Sequence, residues 1–146
     1  MEKINKDKIN KEKVITISGK RKTAIAKATI RAGTGRIKIN KRAINDFSFI
    51  RQLQLLEPLK LAEPFLKEKL NSFNIDVNVT GGGQEGQVEA SRLAIARAIL
   101  AYTKIPEIKA AYLNYDRALL VADVRRKEQR KPGDSKARAK RQKSYR

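Results

Sequence analysis

The last 22 residues, Arg125 to Arg146, set the limit on what this chain can fold into. Eleven of them are Lys or Arg, two are acidic, and none is an aliphatic residue larger than alanine. Such a stretch buries too little apolar surface to offset the entropy of ordering it. Alone in water it is predicted to be an extended, self-repelling arm that becomes ordered only against a polyanion. A core must therefore come from the residues that precede it.

The distribution of charge draws the same boundary. The chain has 146 residues and a net charge of +19, room for one domain with tails and far more charge than solubility requires. Residues 14–42 hold nine basic and no acidic groups, whereas residues 43–124 hold nine basic and ten acidic ones. An almost neutral middle thus lies between two strongly basic segments, the pattern of a protein that meets nucleic acid. The predicted organisation is a Lys/Asn-rich leader at 1–13, a folded body at 14–124 and a basic tail at 125–146. The leader is a near-duplicated pentapeptide, Ile-Asn-Lys-Asp-Lys and Ile-Asn-Lys-Glu-Lys, of low complexity.

Absences narrow the chemistry. The chain has no Cys and no His, which removes disulfides, thiolate metal sites, Cys nucleophiles and the commonest general base. No apolar run approaches the roughly 20 residues that span a bilayer, and no signal core opens the chain, so no membrane partner and a cytoplasmic location are expected. Nor is any cofactor expected.

Along the body, Val14 to Ser18 alternates as a short strand does, and Gly19-Lys20-Arg21-Lys22 reads as a basic turn. Thr23 to Arg31 resumes the alternation, with Ala24, Ala26, Ala28 and Ile30 on one face. Ala32-Gly33-Thr34-Gly35 suggests a hairpin into a third strand at Arg36–Asn40. This meander would place Lys27, Arg31, Arg36 and Lys38 on or beside one face, with the alanine face free to pack closely on helices. Residues 41–70 read as helical but broken, because Pro58 and Pro64 each suit the first turn of a short helix. Ser72 to Thr80 alternates strictly, Phe73, Ile75, Val77 and Val79 against polar neighbours. A helix from about Gln87 to Tyr102 follows, then a short one from Pro106 to Leu113 with Ala110 and Leu113 as apolar positions. Leu119, Leu120 and Val121 form a last apolar anchor before the tail.

Two functional readings compete. Gly81-x-Gly83-x-x-Gly86 has dinucleotide-binding spacing between a strand and a helix, the basis for a nucleotide-binding enzyme. That fold needs a second parallel strand ending in an acid after the helix, and Tyr102-Thr103-Lys104-Ile105-Pro106 is no strand. The glycines are then needed for a tight turn and close helix–sheet packing. Glu85 and Glu89 have no His, Cys or metal-type cluster beside them, so no catalytic constellation stands out. The second reading is a bipartite RNA-binding surface, the basic sheet plus the tail, dominated by phosphate contacts.

Several stretches resemble a known family. Gly19-Lys20-Arg21-Lys22-Thr23-Ala24, Gly81-Gly82-Gly83-x-x-Gly86-Gln87-x-x-Ala90 and Ala94-Ile95-Ala96-Arg97-Ala98 are similar to signatures of the ninth small-subunit ribosomal protein family. So are Asp123-x-Arg125-Arg126, Lys131-Pro132-Gly133 and the ending from Lys140 to Arg146, whose final Tyr-Arg is of the archaeal and eukaryotic kind. The resemblance covers residues 14–146. It implies an α/β, two-layer α+β body with a four-stranded mixed sheet and helices on one side, like the second domain of the fifth small-subunit ribosomal protein, plus an extended basic tail. It implies a structural, non-enzymatic place in the subunit head on the 3′ major domain of the rRNA, beside neighbouring head proteins. The tail would thread through rRNA to the peptidyl-site tRNA. Lys143, Tyr145 and Arg146 would form its tip on the tRNA, with Arg125, Arg126, Arg130, Lys131, Lys136, Arg138, Lys140 and Arg141 on rRNA along the path. Lys20, Arg21, Lys22, Lys27, Arg31, Arg36 and Lys38 complete the expected rRNA-binding set.

Overall fold

Alternation of small or branched residues with polar ones builds the sheet, and the computed structural model shows how its strands meet. It describes residues 14–66, 71–133, 136–140 and 144; the leader at 1–13 and the tail-end positions Arg141, Lys143, Tyr145 and Arg146 lie outside the described residues. The strands are β1 (Ile15–Arg21), β2 (Ala24–Ala32), β3 (Ile37–Ile39), β4 (Arg42–Ala43) and β5 (Phe73–Thr80). The helices are α1 (Phe49–Leu66), α2 (Gln84–Thr103) and α3 (Pro106–Tyr115), with single 3₁₀ turns at Ile44–Asp46 and Arg117–Leu119.

The sheet has five strands in the order β1-β2-β5-β3-β4, where four were expected. The extra strand follows from a two-residue turn. Asn40 and Lys41 both take left-handed backbone, φ 48° and 69°, which folds Arg42 and Ala43 back onto Ile39 and Lys38. The Asn40 side chain then continues the β3–β5 ladder. Its Nδ2 donates to the Val79 carbonyl at 3.0 Å and its Oδ1 accepts from the Val79 amide at 2.8 Å.

The expected hairpin between β2 and β3 does not form, because β5 lies between them. It is antiparallel to β2 and parallel to β3. The Gly33–Gly35 connection instead spans the start of β5. There the Gly33 amide donates to Ser72 O at 2.8 Å and Gly35 to Phe73 O at 3.1 Å. Asn74 Oδ1 accepts from the amides of Thr34 and Arg36 at 2.8 and 2.9 Å.

One face of the sheet is apolar and covered. Ala24, Ala26, Ala28 and Ile30 are fully buried beside Phe73, Ile75, Val77 and Val79, and all join one core with α1, α2 and α3. Small residues let α2 come very close. A Cβ on Gly19 would sit 2.3 Å from the Ala90 carbonyl and 2.7 Å from the Ala94 nitrogen, so only glycine fits beneath the helix.

The helices differ from expectation in instructive ways. α1 is continuous through Pro58 and Pro64. A proline inside a helix costs about 3 kcal/mol through its missing N–H and its clash with the preceding turn. At Pro58 burial against α3 offsets this, for the ring is fully buried and the Tyr112 hydroxyl donates to its carbonyl at 2.7 Å. Pro64 is exposed. α2 begins three residues earlier than the periodicity suggested, at Gln84, with the Gln87 amide donating to Gly83 O at 2.9 Å. It ends at Lys104, which takes φ 57°. In α3 the buried positions are Ile108 and Tyr112, while Ala110 and Leu113 face outward. Leu119 is buried and Leu120 packs beside it, but Val121 is exposed.

Candidate nucleic-acid interface

On the sheet face turned away from the helices, the period of two puts cations in register. Lys20 lies on β1, Lys27 and Arg31 on β2 and Lys38 on β3, all exposed, with Arg36 exposed just before β3. Ser18 stands opposite Lys27, and Thr16 opposite Thr29, their hydroxyls 3.1 Å apart. Between these strands β5 presents Asn74, Asp76, Asn78 and Thr80.

Asp76 is the one carboxylate in this register among the described residues. It stands opposite Thr29 on one side and Lys38 on the other, and pairs with Arg31 at 2.7 Å. Both partners are about half exposed, so the pair is worth little in stability. Its effect is to tie one guanidinium of the face to β5. Reading residues 14–42 alone, which hold no acid, could not reveal Asp76, because it arrives with the inserted strand. The face nevertheless keeps a strong excess of positive charge, without competing apolar groups beyond Ile25.

Lys22 is exposed at the β1–β2 turn, in left-handed backbone at φ 52°. Arg21 is not on the open face. It shares the inward register of Gly19, and its guanidinium reaches back to Glu89 of α2 through Nε and to Asp123 through Nη1. Asp123 also accepts from Arg125, whose amide donates to Oδ1 at 2.8 Å and whose Nε donates to Oδ2 at 2.8 Å. These bonds from Arg125, joined by that from Arg21, hold the Asp123 carboxyl well below the usual carboxylate range.

Other charged groups of α2 act as struts. Arg92 meets Asp116 at 3.0 Å and Glu57 at 2.5 Å, tying α1 and the end of α3 to α2. Arg97 donates through Nε to Leu120 O at 2.8 Å and through Nη1 to Ser18 O at 3.0 Å. Glu85 holds Arg51 at 2.8 Å. None of these was legible as a pair, since the partners are far apart in sequence.

Beyond Asp123 no helix or strand is present up to Lys131, and Arg125, Arg126, Arg130, Lys131, Lys136, Arg138 and Lys140 are all exposed. Arg138 pairs with Glu128 at 3.1 Å. The tip residues are outside the described set.

The glycine loop does not make a nucleotide site. Gly81 and Gly82 have φ 74° and 68°, and Cβ atoms there would lie 2.6 Å from Thr23 O and 2.9 Å from the Ala24 Cβ. Close packing on the start of β2 therefore accounts for both. The cleft beside them carries Glu85 and Glu89 together with Arg21, Lys22 and Arg51, and two carboxylates oppose a bound phosphate. Lys104 and Pro106 then lead from α2 straight into another helix, so the second parallel strand is missing from this position. Among the described residues no group of His, Cys, Asp or Glu is placed to hold a metal, and no helix is long and apolar enough to cross a membrane.

A two-layer body with one cationic face and a basic arm strapped at its root defines a polyanion-binding protein of structural type. Comparison with known proteins makes the class specific. The chain matches the family described as Ribosomal protein S9/S16 over residues 19–146. It is 47% identical over 135 residues to small ribosomal subunit protein uS9 of Methanothrix thermoacetophila, covering 92% of this chain and 99% of the relative. It is 45% identical over 142 residues to the uS9 of Methanococcus maripaludis strain C7, with the same coverage. The chain belongs to the ribosomal protein S9/S16 family, which is structural and non-enzymatic.

Proposed function

We propose that this protein binds the rRNA of the small-subunit head, in the 3′ major domain and beside neighbouring head proteins, and that its tail steadies peptidyl-site tRNA. As a member of its family the chain is a structural constituent of the small ribosomal subunit, working in the cytoplasm with RNA and other ribosomal components as partners. The observation that carries the finer reading is the sheet face. Lys20, Lys27, Arg31, Arg36 and Lys38 are exposed on the side away from the core, where a phosphate backbone can lie without disturbing packing. Arg21 joins β1 to the root of the arm through Asp123, and Lys22 lies exposed at the neighbouring turn, where it would add to the rRNA contacts. Arg125, Arg126, Arg130, Lys131, Lys136, Arg138, Lys140 and Arg141 would follow rRNA, arginine suiting this because it is always charged and grips phosphate bidentately.

Lys143, Tyr145 and Arg146 would meet the tRNA. Twenty-two residues fully extended reach about 70–80 Å, enough to pass from a peripheral body to a functional centre. The test is the rate at which peptidyl-site tRNA leaves purified subunits whose protein lacks Lys143 to Arg146. Faster release from subunits of normal composition is expected. Equal rates would reduce the tail to an assembly device. Arg146→Lys should release tRNA more slowly than Arg146→Glu, which sets a carboxylate against phosphate.

A further inference from the structure

The tail leaves the body from a point that is tied down more firmly than a flexible arm requires. Between Asp116 and Arg125 the chain is strapped by three arginines from other elements. Arg92 takes the Asp116 carboxylate at 3.0 Å. Arg97 takes the Leu120 carbonyl at 2.8 Å while its other nitrogen holds Ser18 of β1 at 3.0 Å. Arg21, braced by Glu89, takes the Asp123 carboxylate. Leu119, fully buried, pins the middle of the strap from below.

Asp123 is the last of these fixed points, and it is used twice. Its Oδ2 takes Arg21 from the body, at side-chain exposures of 20% for both partners, and also receives the Arg125 guanidinium at 2.6 Å. Its Oδ1 bonds forward, accepting the Arg125 amide at 2.8 Å, an Asx turn. The inward bonds fix the carboxylate to the body, and the forward bonds fix the backbone two residues on to the carboxylate. From Arg125 to Gly133 the chain is exposed.

We propose that Asp123 is the positioning residue of the arm, setting the direction in which the basic tail departs. The proposal rests on the reading above, that the tail runs to a definite target. A small angular error at the root becomes a large displacement at the end of an extended chain, so a directed tail gains most from a fixed root. Arg21 serves the arm through Asp123, and Arg97 holds the strap against β1.

The absence of Cys permits clean labelling of the full-length protein. Spin labels at Lys109→Cys on α3 and Gln129→Cys in the tail give a distance distribution by pulsed electron resonance. The parent should give a narrow distribution. Asp123→Ala should widen it about twofold, as the freed chain regains conformers that the turn excluded. Asp123→Asn, which keeps the Asx acceptor but drops the charge, should fall between the two and serves as the measurement if the alanine form fails to fold. Glu85→Gln, at the far end of the Arg51 pair, should leave the width unchanged. A parent distribution as broad as that of Asp123→Ala, or an Asp123→Ala and an Asp123→Asn distribution both as narrow as the parent, overturns the proposal. Tip deletion with unchanged tRNA release, alongside a distribution that responds to Asp123, would instead remove the tRNA reading and leave the fixed root standing.

Discussion

Tyr112 donates its phenolic hydrogen to the carbonyl oxygen of Pro58 at 2.7 Å, joining helices whose contact residues lie 54 positions apart. The ring is fully buried, and burial pushes the phenol well above its ordinary value. This contact holds α3 to the very turn of α1 that a proline would otherwise weaken.

The first expectation concerns that bond. Tyr112→Phe should cost about 0.5–1.5 kcal/mol, read as a lower denaturant midpoint at neutral pH. The pH response gives a second signature. A phenol whose folded pKa is raised contributes fully below the unfolded value of about 10, and the contribution is lost as pH rises from there toward the folded value. The parent should therefore lose stability faster than Tyr112→Phe on going from about pH 8 to about pH 11, Lys titration being common to both. Parallel curves would show that the phenol is not buried as a neutral group.

Gly19 should not tolerate even one added carbon. The atoms that a Cβ would strike, Ala90 O and Ala94 N, belong to helix backbone and cannot rotate away. Gly19→Ala should lower stability by about 1–3 kcal/mol, the usual cost of overpacking, in a urea titration. Gly83→Ala, where the added atom meets nothing within 4 Å, is the matched control and should cost far less.

RNA binding should divide the basic residues by what they already touch. Lys27→Ala and Lys38→Ala, at exposed positions on the open face, should each reduce the slope of log affinity against log salt by about one. Arg21→Ala should change the slope less, because Glu89 and Asp123 take up its charge, and should instead loosen the tail root. The measurement is RNA affinity across a salt series, with hydrogen exchange at residues 119–125 for the root. A slope change for Arg21→Ala equal to that for the two lysines would place its guanidinium on phosphate.

The tail root should survive mild acid. The depressed Asp123 carboxyl contributes its bonds at all pH values above the unfolded pKa of about 3.9 and loses them only as pH falls through the folded value. Protection of the Arg125 amide, corrected for intrinsic exchange, should thus stay nearly constant from neutrality down to about pH 3. Loss of protection with a midpoint near the ordinary value of about 3.9 would mean that Asp123 titrates as an unperturbed carboxylate.

How far this could be read beforehand depended on whether a signal was local. The inward faces of β2 and β5 were legible because Ala24–Ile30 and Phe73–Val79 keep a period of two, broken only by Ile25, and Lys27 and Arg31 came with the first of them. The position of β5 between β2 and β3 was not, since Gly33–Gly35 has the chemistry of a hairpin and only the competing edges of β5 decide otherwise. Lys41 at positive φ gives no sequence sign, so β4 went unseen. Pro58 misled because packing on Tyr112 overrides helix propensity. Arg21 looked like a surface cation, and its two carboxylate partners lie 68 and 102 residues away. The glycine loop was read rightly as a packing device, the missing strand after α2 being visible in Pro106.

The place of β5 also sets an order of events during synthesis. β1 with β2, and β3 with β4, can each close as soon as they are made, but the strand that joins them is encoded after both. Until residues 73–80 have been translated, two half-sheets wait with open edges, and no continuous cationic surface exists. Long-range closure of this kind is slow and leaves strand edges unpaired meanwhile. A nascent chain of this protein therefore cannot present its assembled basic face to RNA before more than half of it has been made.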